Sequence, residues 1–183
     1  MNTSENGDKK KWYVLRDLKR PNAKILNWEH LRDAGFDVYT PLQWKLYLAK
    51  GKRIRKLVPV ITDLLFVNST RELLDPVIAR TPTLQYRFLK HHYMTPATVG
   101  DAEMERFIRA TQDGGKVKYY SPEEINDSMK KKRIKVIGGP LNGFEGTILT
   151  VRGSKSRRIL IEIPGIICAG VEINPEYIEI LDN

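Results

Sequence analysis

Six cations and no carboxylate lie between residues 45 and 56: Lys45, Lys50, Lys52, Arg53, Arg55 and Lys56. Charge at this density suits phosphates. Each phosphate contact displaces condensed counterions, so binding falls by roughly one power of the salt concentration per contact. Lysines also guard sheet edges against pairing with other chains. Here the run surrounds a turn, Lys50–Gly51–Lys52, between two stretches of strand character, Gln43–Leu48 and Arg53–Val60. A hairpin displays such charge as a protruding arm, which favours nucleic-acid contact over a solubilising edge.

A second stretch, IKVIGGPLNGFEGTI at Ile134–Ile148, packs Gly138, Gly139, Gly143 and Gly146 together. A phosphate loop needs a lysine and a hydroxyl after its last glycine, and a helix to follow. Phe144 and Glu145 stand there instead, and no helical pattern follows. The glycines therefore read as turns: Gly138–Gly139–Pro140 bends the chain, Asn142–Gly143 is a turn dipeptide, and Gly146 lets a strand start close to its neighbour. Leu141 and Phe144 are left on the loop, where an apolar residue is either tucked over the end of a barrel or exposed as an anchor, and the pair stands as the candidate contact for a protein partner.

Catalysis is poorly supplied. His91 and His92 are adjacent, so in a strand they point to opposite faces and cannot chelate one ion together. His30 stands alone, and Cys168, the only cysteine, lies in an apolar run where a buried inert thiol is expected. The reading is a non-enzyme with no metal and no cofactor.

Charge is spread unevenly over the 183 residues, whose formal net charge is +9. Residues 1–112 hold 20 Lys+Arg against 12 Asp+Glu, whereas Lys130–Arg158 holds nine bases and one acid, and from Ile159 onward there are five acids and no base. Each half thus has one basic region, pointing to an anionic partner. The polar N-terminus lacks a signal-peptide core, and the apolar tract LVPVITDLLFV is too short to span a bilayer and carries Asp63. A cytoplasmic monomer is expected.

The elements that position these residues follow from pattern. Trp12–Leu18 is apolar enough for a buried strand; a helix opens at Pro21 and ends at Gly35; short strands follow at Phe36–Pro41, at the two arms of the hairpin and at Leu64–Val67. Ser69–Glu72 has capping-box spacing, but Pro76 limits the helix behind it to a short one. Leu84–Leu89 reads as an edge strand. Thr98–Asp101 is a second capping box, before Met104, Phe107, Ile108 and Thr111 at helical spacing. This predicts an α+β domain with an antiparallel sheet flanked by helices over residues 11–112, after a tail at 1–10. Residues 113–130 read as a linker with a possible helical turn started by Ser121 and Pro122. Residues 131–183 alternate with period 2 and read as a small all-β barrel.

Two groups of residues together resemble the NusG family. WYVL at Trp12–Leu15, Tyr39–Thr40–Pro41, the basic hairpin and Leu64–Leu65–Phe66–Val67 resemble its N-terminal domain, and RIKVIGGPLNGFEGTI at Arg133–Ile148 is similar to its KOW domain. The resemblance implies a transcription elongation or antitermination factor without cofactor. Its N-terminal domain would bind the clamp helices of RNA polymerase, with Arg16, Ile61, Leu64 and Phe66 on the contact surface. Ser69–Leu73 would face the other side of the cleft. Its KOW barrel would recruit a ribosomal small-subunit protein or Rho. Typical members carry Phe-Pro-Gly-Tyr where this chain has Ile61–Thr62–Asp63–Leu64, which resembles specialised, operon-specific paralogs of the RfaH or UpxY kind. An RNA-binding or ribosome-associated KOW protein that never touches polymerase is the alternative.

Overall fold

The computed structural model describes residues 9–89, 95–112, 116–151 and 153–181. The chain divides into two compact units, Met1–Asp101 and Ala102–Asn183. The His91–His92 pair lies outside the described residues.

The first unit is built on β1 (Lys11–Asp17), α1 (Asn27–Asp33), β2 (Asp37–Tyr39), β3 (Leu42–Ala49), β4 (Lys52–Pro59), β5 (Leu65–Ser69), α2 (Arg71–Arg80), β6 (Leu84–Tyr86) and β7 (Thr98–Val99). Its main sheet runs β2-β5-β1-β6, with β7 also pairing β1, and every pairing is antiparallel. The strand β1 is central because its apolar residues fill both faces. Tyr13 and Leu15, with Leu65, Val67 and Leu84, pack on Leu26, Trp28, Leu31 and Leu74 from α1 and α2 and the segments around them. The alternate residues Trp12, Val14 and Phe66 are buried as well. Each such side chain contributes roughly 1.5–3 kcal/mol by leaving water.

Two helices depart from expectation. The first starts at Asn27 rather than Pro21, because Leu26 is extended and its N–H donates to the Glu29 carboxylate at 2.7 Å. Asn27 is buried and donates to Asp17 Oδ1 at 2.7 Å and to Thr83 Oγ1 at 3.0 Å. Burial raises the Asp17 carboxyl above its usual range, against the pull of the Lys19 N–H and of Asn27. The second helix, α2, passes through Pro76 and runs ten residues. The lost hydrogen bond and ring clash cost about 3 kcal/mol. Offsetting it, Leu74, Val77 and Ile78 pack on the core, Thr70 accepts the Leu73 N–H as N-cap, and Arg71 bonds Asp75 at 2.7 Å.

The helix α3 (Asp101–Thr111) has all but its first residue in the second unit. It carries the expected apolar stripe, with Met104, Phe107 and Thr111 buried. Beyond it come β8 (Val117–Tyr120), β9 (Lys130–Val136), β10 (Glu145–Leu149), β11 (Arg158–Ile163), β12 (Ile167–Glu172) and β13 (Ile178–Ile180), in an antiparallel sheet ordered β13-β9-β10-β11-β12-β8. The expected barrel appears as this six-stranded sheet, and no pairing between β13 and β8 closes it among the described residues. The expected linker is corrected in part: Val117–Tyr120 pairs with Cys168–Val171 and buries Tyr120. A single turn of 3-10 helix does follow at Pro122–Glu124, where the Ser121 N–H donates to Glu124 Oε2 at 2.6 Å.

The glycine stretch forms the β9–β10 turn. Gly138, Gly139 and Gly143 all have positive φ, and Asn142 Oδ1 accepts the Gly138 N–H at 2.7 Å. At Gly146 a β-carbon would come within 3.0 Å of Ile159 and 3.2 Å of the Leu160 carbonyl, so the strands approach there as closely as glycine allows.

Candidate functional site

The basic run lies on β3 and β4, which pair in register from Leu42↔Pro59 to Ala49↔Lys52 as a two-stranded sheet, with no third strand among the described residues. Lys50 and Gly51 both take positive φ, +49° and +75°, the conformation of a tight two-residue hairpin turn. Residues directly opposite share a face, and this register sorts the charges. Arg53 pairs with Leu48, Arg55 with Leu46 and Leu57 with Trp44, so the arginines share a face with Trp44, Leu46 and Leu48. Lys45 pairs with Lys56 and Tyr47 with Ile54 on the opposite face.

The arginine face is open to solvent. Trp44 is 57% exposed, Leu46 70% and Leu48 77%, and the Arg55 guanidinium lies 4.8 Å from the Trp44 ring centre. On the lysine face, Lys56 Nζ donates to the Ala23 carbonyl at 2.8 Å and Tyr47 packs against the core of its unit. Five of the six cations are exposed, while Lys56 is half-buried and held by Ala23. Sequence reasoning missed the exposed apolar stripe. Its signal was the strict alternation Trp44-Leu46-Leu48 on an arm too short of strands to be covered.

The residues expected at a polymerase contact separate into two groups. Arg16 is exposed and grips Asp63 with Nε and Nη2 at 3.1–3.3 Å, and Ile61 is half-buried nearby in sequence. Leu64 and Phe66 are buried, at 2% and 0% exposure, and form no part of the accessible surface. Leu64 lies just ahead of β5 and Phe66 within it, two residues apart and so on one face; Leu65 and Val67 on the other face are buried too, so both faces are covered. Of Ser69–Leu73, Ser69 is buried, Thr70 caps α2 and Leu73 is exposed. Around Arg16 the surface is a shallow depression of about 720 Å³ lined also by Asp63, Ile78, Gln85, Arg87 and Phe88. An exposed ion pair of this kind adds about 0–1 kcal/mol to stability, so a partner can displace or engage it at little cost to the fold. Asp63 comes from the tetrapeptide in which the chain departs from the typical pattern.

In the second unit, Leu141 and Phe144 are buried, at 7% and 4% exposure, which corrects the expectation that they stand out as anchors. The Arg109 and Arg106 guanidinium groups lie 4.2 and 5.7 Å from the Phe144 ring centre. Arg109 also donates to the Asn142 carbonyl at 3.1 Å, and Arg106 to the Glu145 carbonyl. The aromatic ring pulls two cations of α3 over the turn and is covered by them. Cys168 is buried, and burial, with Glu162 beside it, pushes its thiol up to about 11, so it stays protonated and unreactive near neutral pH. No group of three metal-ligating side chains occurs among the described residues, and no helix among them is long and apolar enough to cross a membrane.

A family model described as "Transcription termination factor nusG" matches residues 10–108, more than half of the chain. No curated protein matches it. The matched stretch holds the whole sheet of the first unit, both helices packed on it, the basic hairpin and the Arg16 depression, and so the chain belongs to the NusG family, a family of transcription factors rather than enzymes.

Proposed function

We propose that this protein is a transcription elongation or antitermination factor that binds the clamp helices of RNA polymerase through the Arg16 depression of its first unit. The observation that carries the reading is a family match spanning that unit, together with an accessible depression beside the residue the resemblance marks, Arg16. The departure at Ile61–Leu64, with Asp63 turned onto Arg16, supports a specialised, operon-specific member. The second unit, in which Arg133–Ile148 resembles a KOW domain, serves to recruit further factors such as a ribosomal small-subunit protein or Rho, through a surface other than the buried Leu141 and Phe144.

Tagged full-length protein is expected to retain core RNA polymerase in a pull-down. Arg16→Glu puts like charges together at an exposed site, so the fold survives while binding weakens by roughly tenfold or more. Unchanged retention by the variant removes the depression from the interface, and failure of the wild type removes the reading.

The hairpin supplies the nucleic-acid contact of the same factor. Replacing Lys45, Lys52, Arg53 and Arg55 by Gln is expected to flatten the dependence of log affinity on log salt by about three to four powers. Lys56→Gln, already held by Ala23, leaves the slope as it was. Fluorescence anisotropy with labelled DNA across a salt series decides it.

A further inference from the structure

We infer that the outer face of the β3–β4 hairpin binds a single-stranded nucleic acid, with an unpaired base stacked on Trp44 and flanking phosphates held by Arg53 and Arg55. The inference rests on the hairpin's role as a nucleic-acid contact and goes further, naming the form of the ligand and the face that takes it.

Three observations carry it. First, the register segregates the cations by type, with Arg53 and Arg55 on the face of Trp44, Leu46 and Leu48, and Lys45 and Lys56 on the other. Arginine is planar and weakly hydrated, so it stacks on rings and forks onto phosphate, whereas lysine acts as a point charge. Second, Arg55 already lies over the Trp44 ring, so the two form a cationic stacking platform on an exposed arm. Third, Trp44 is the exposed tryptophan of this chain, the other two being 8% exposed.

Charge selects the occupant. Residues 45–56 hold six cations and no acid, so the arm as a whole is complementary to a polyanion, and Arg53 and Arg55 supply that charge on this face. An aromatic and exposed leucines beside those cations offer little to duplex DNA, whose bases are already stacked. They match a strand whose bases are free, because every base has a π-face and stacking tolerates any sequence.

The test uses full-length protein, a short labelled oligo(dT) and a duplex of the same length. Oligo(dT) is expected to bind more tightly than duplex and to quench tryptophan emission, a signal that Trp44→Phe abolishes while keeping most of the affinity. Trp44→Ala is expected to weaken oligo(dT) binding by roughly five- to 150-fold with an unchanged salt slope, a readout that loss of charge alone would move. Arg53→Lys with Arg55→Lys keeps the charge and the slope but loses affinity. Equal binding of duplex and oligo(dT), with Trp44→Ala like the wild type, overturns the inference and leaves the hairpin's phosphate contact standing. Absence of binding to either at low salt removes both. Quenching by vesicles rich in phosphatidylserine without binding of oligo(dT) assigns the face to a membrane and likewise overturns it.

Discussion

Leu64→Glu is expected to destabilise the first unit strongly, not to yield a protein of wild-type stability that merely fails to bind polymerase. Leu64 is 2% exposed, and the carbonyl beside its side chain already accepts the buried Thr40 hydroxyl at 3.1 Å. An unpaired carboxylate there costs several kcal/mol of desolvation, against a total stability of about 5–15 kcal/mol for a domain. A loss of about 3 kcal/mol lowers the melting midpoint by roughly 12–24 °C for a unit of this size. The sign of the pH dependence follows. Burial raises the pKa of the introduced carboxyl in the folded state, so the variant is less stable at neutral pH and recovers as pH falls through that raised value. All three tryptophans lie in the first unit, two of them buried, so the shift of tryptophan emission on heating reports it directly. A wild-type midpoint would show that Leu64 is at the surface after all.

Phe144→Ala is expected to destabilise the second unit by about 3–5 kcal/mol, the cost of removing a buried ring and leaving a cavity. The covering guanidinium groups of Arg106 and Arg109 lose their cation–π partner as well, worth about 0.5–1 kcal/mol each at such solvent-open sites. Phe144→Leu restores much of the volume but not the ring, and should fall between. Amide exchange in peptides spanning β9 and β10 is the measurement, since the turn that carries Phe144 joins them. If Phe144 were a free anchor, the alanine variant would exchange like the wild type and lose only a partner.

Both predictions concern residues whose identity was legible but whose surroundings were not. Period-2 alternation puts Leu64 and Phe66 on one face of a strand and Leu65 and Val67 on the other; it cannot tell whether a second layer covers the outer face. The same pattern gave Trp44, Leu46 and Leu48, and there the outer side is bare. Local chemistry read better. The positive φ at Lys50 and Gly51 follows from a two-residue turn between strands, and the stripe on α3 follows from helical spacing. The strand Val117–Tyr120 escaped because its charged and polar neighbours dilute its pattern, and its pairing with β12 is made with residues some fifty positions away. The grip of Asp63 on Arg16 escaped for the same reason, being a contact across 47 residues of sequence. At Pro76 the rule that proline shortens a helix lost to the packing of Leu74, Val77 and Ile78.

The central position of β1 has a consequence for how this protein is made. The strand takes its partners from residues 65–69, 84–86 and 98–99, all later in the chain, so it is synthesised before every strand it pairs with and completed last. Until Val99 has been made, Trp12 and Tyr13 lack their β7 partners, and a long stretch of chain must be synthesised before the strand is fully paired. Folding of the first unit is thereby timed to the end of its translation. A chain that stops before that point leaves Trp12 and Tyr13 without the strand that pairs them.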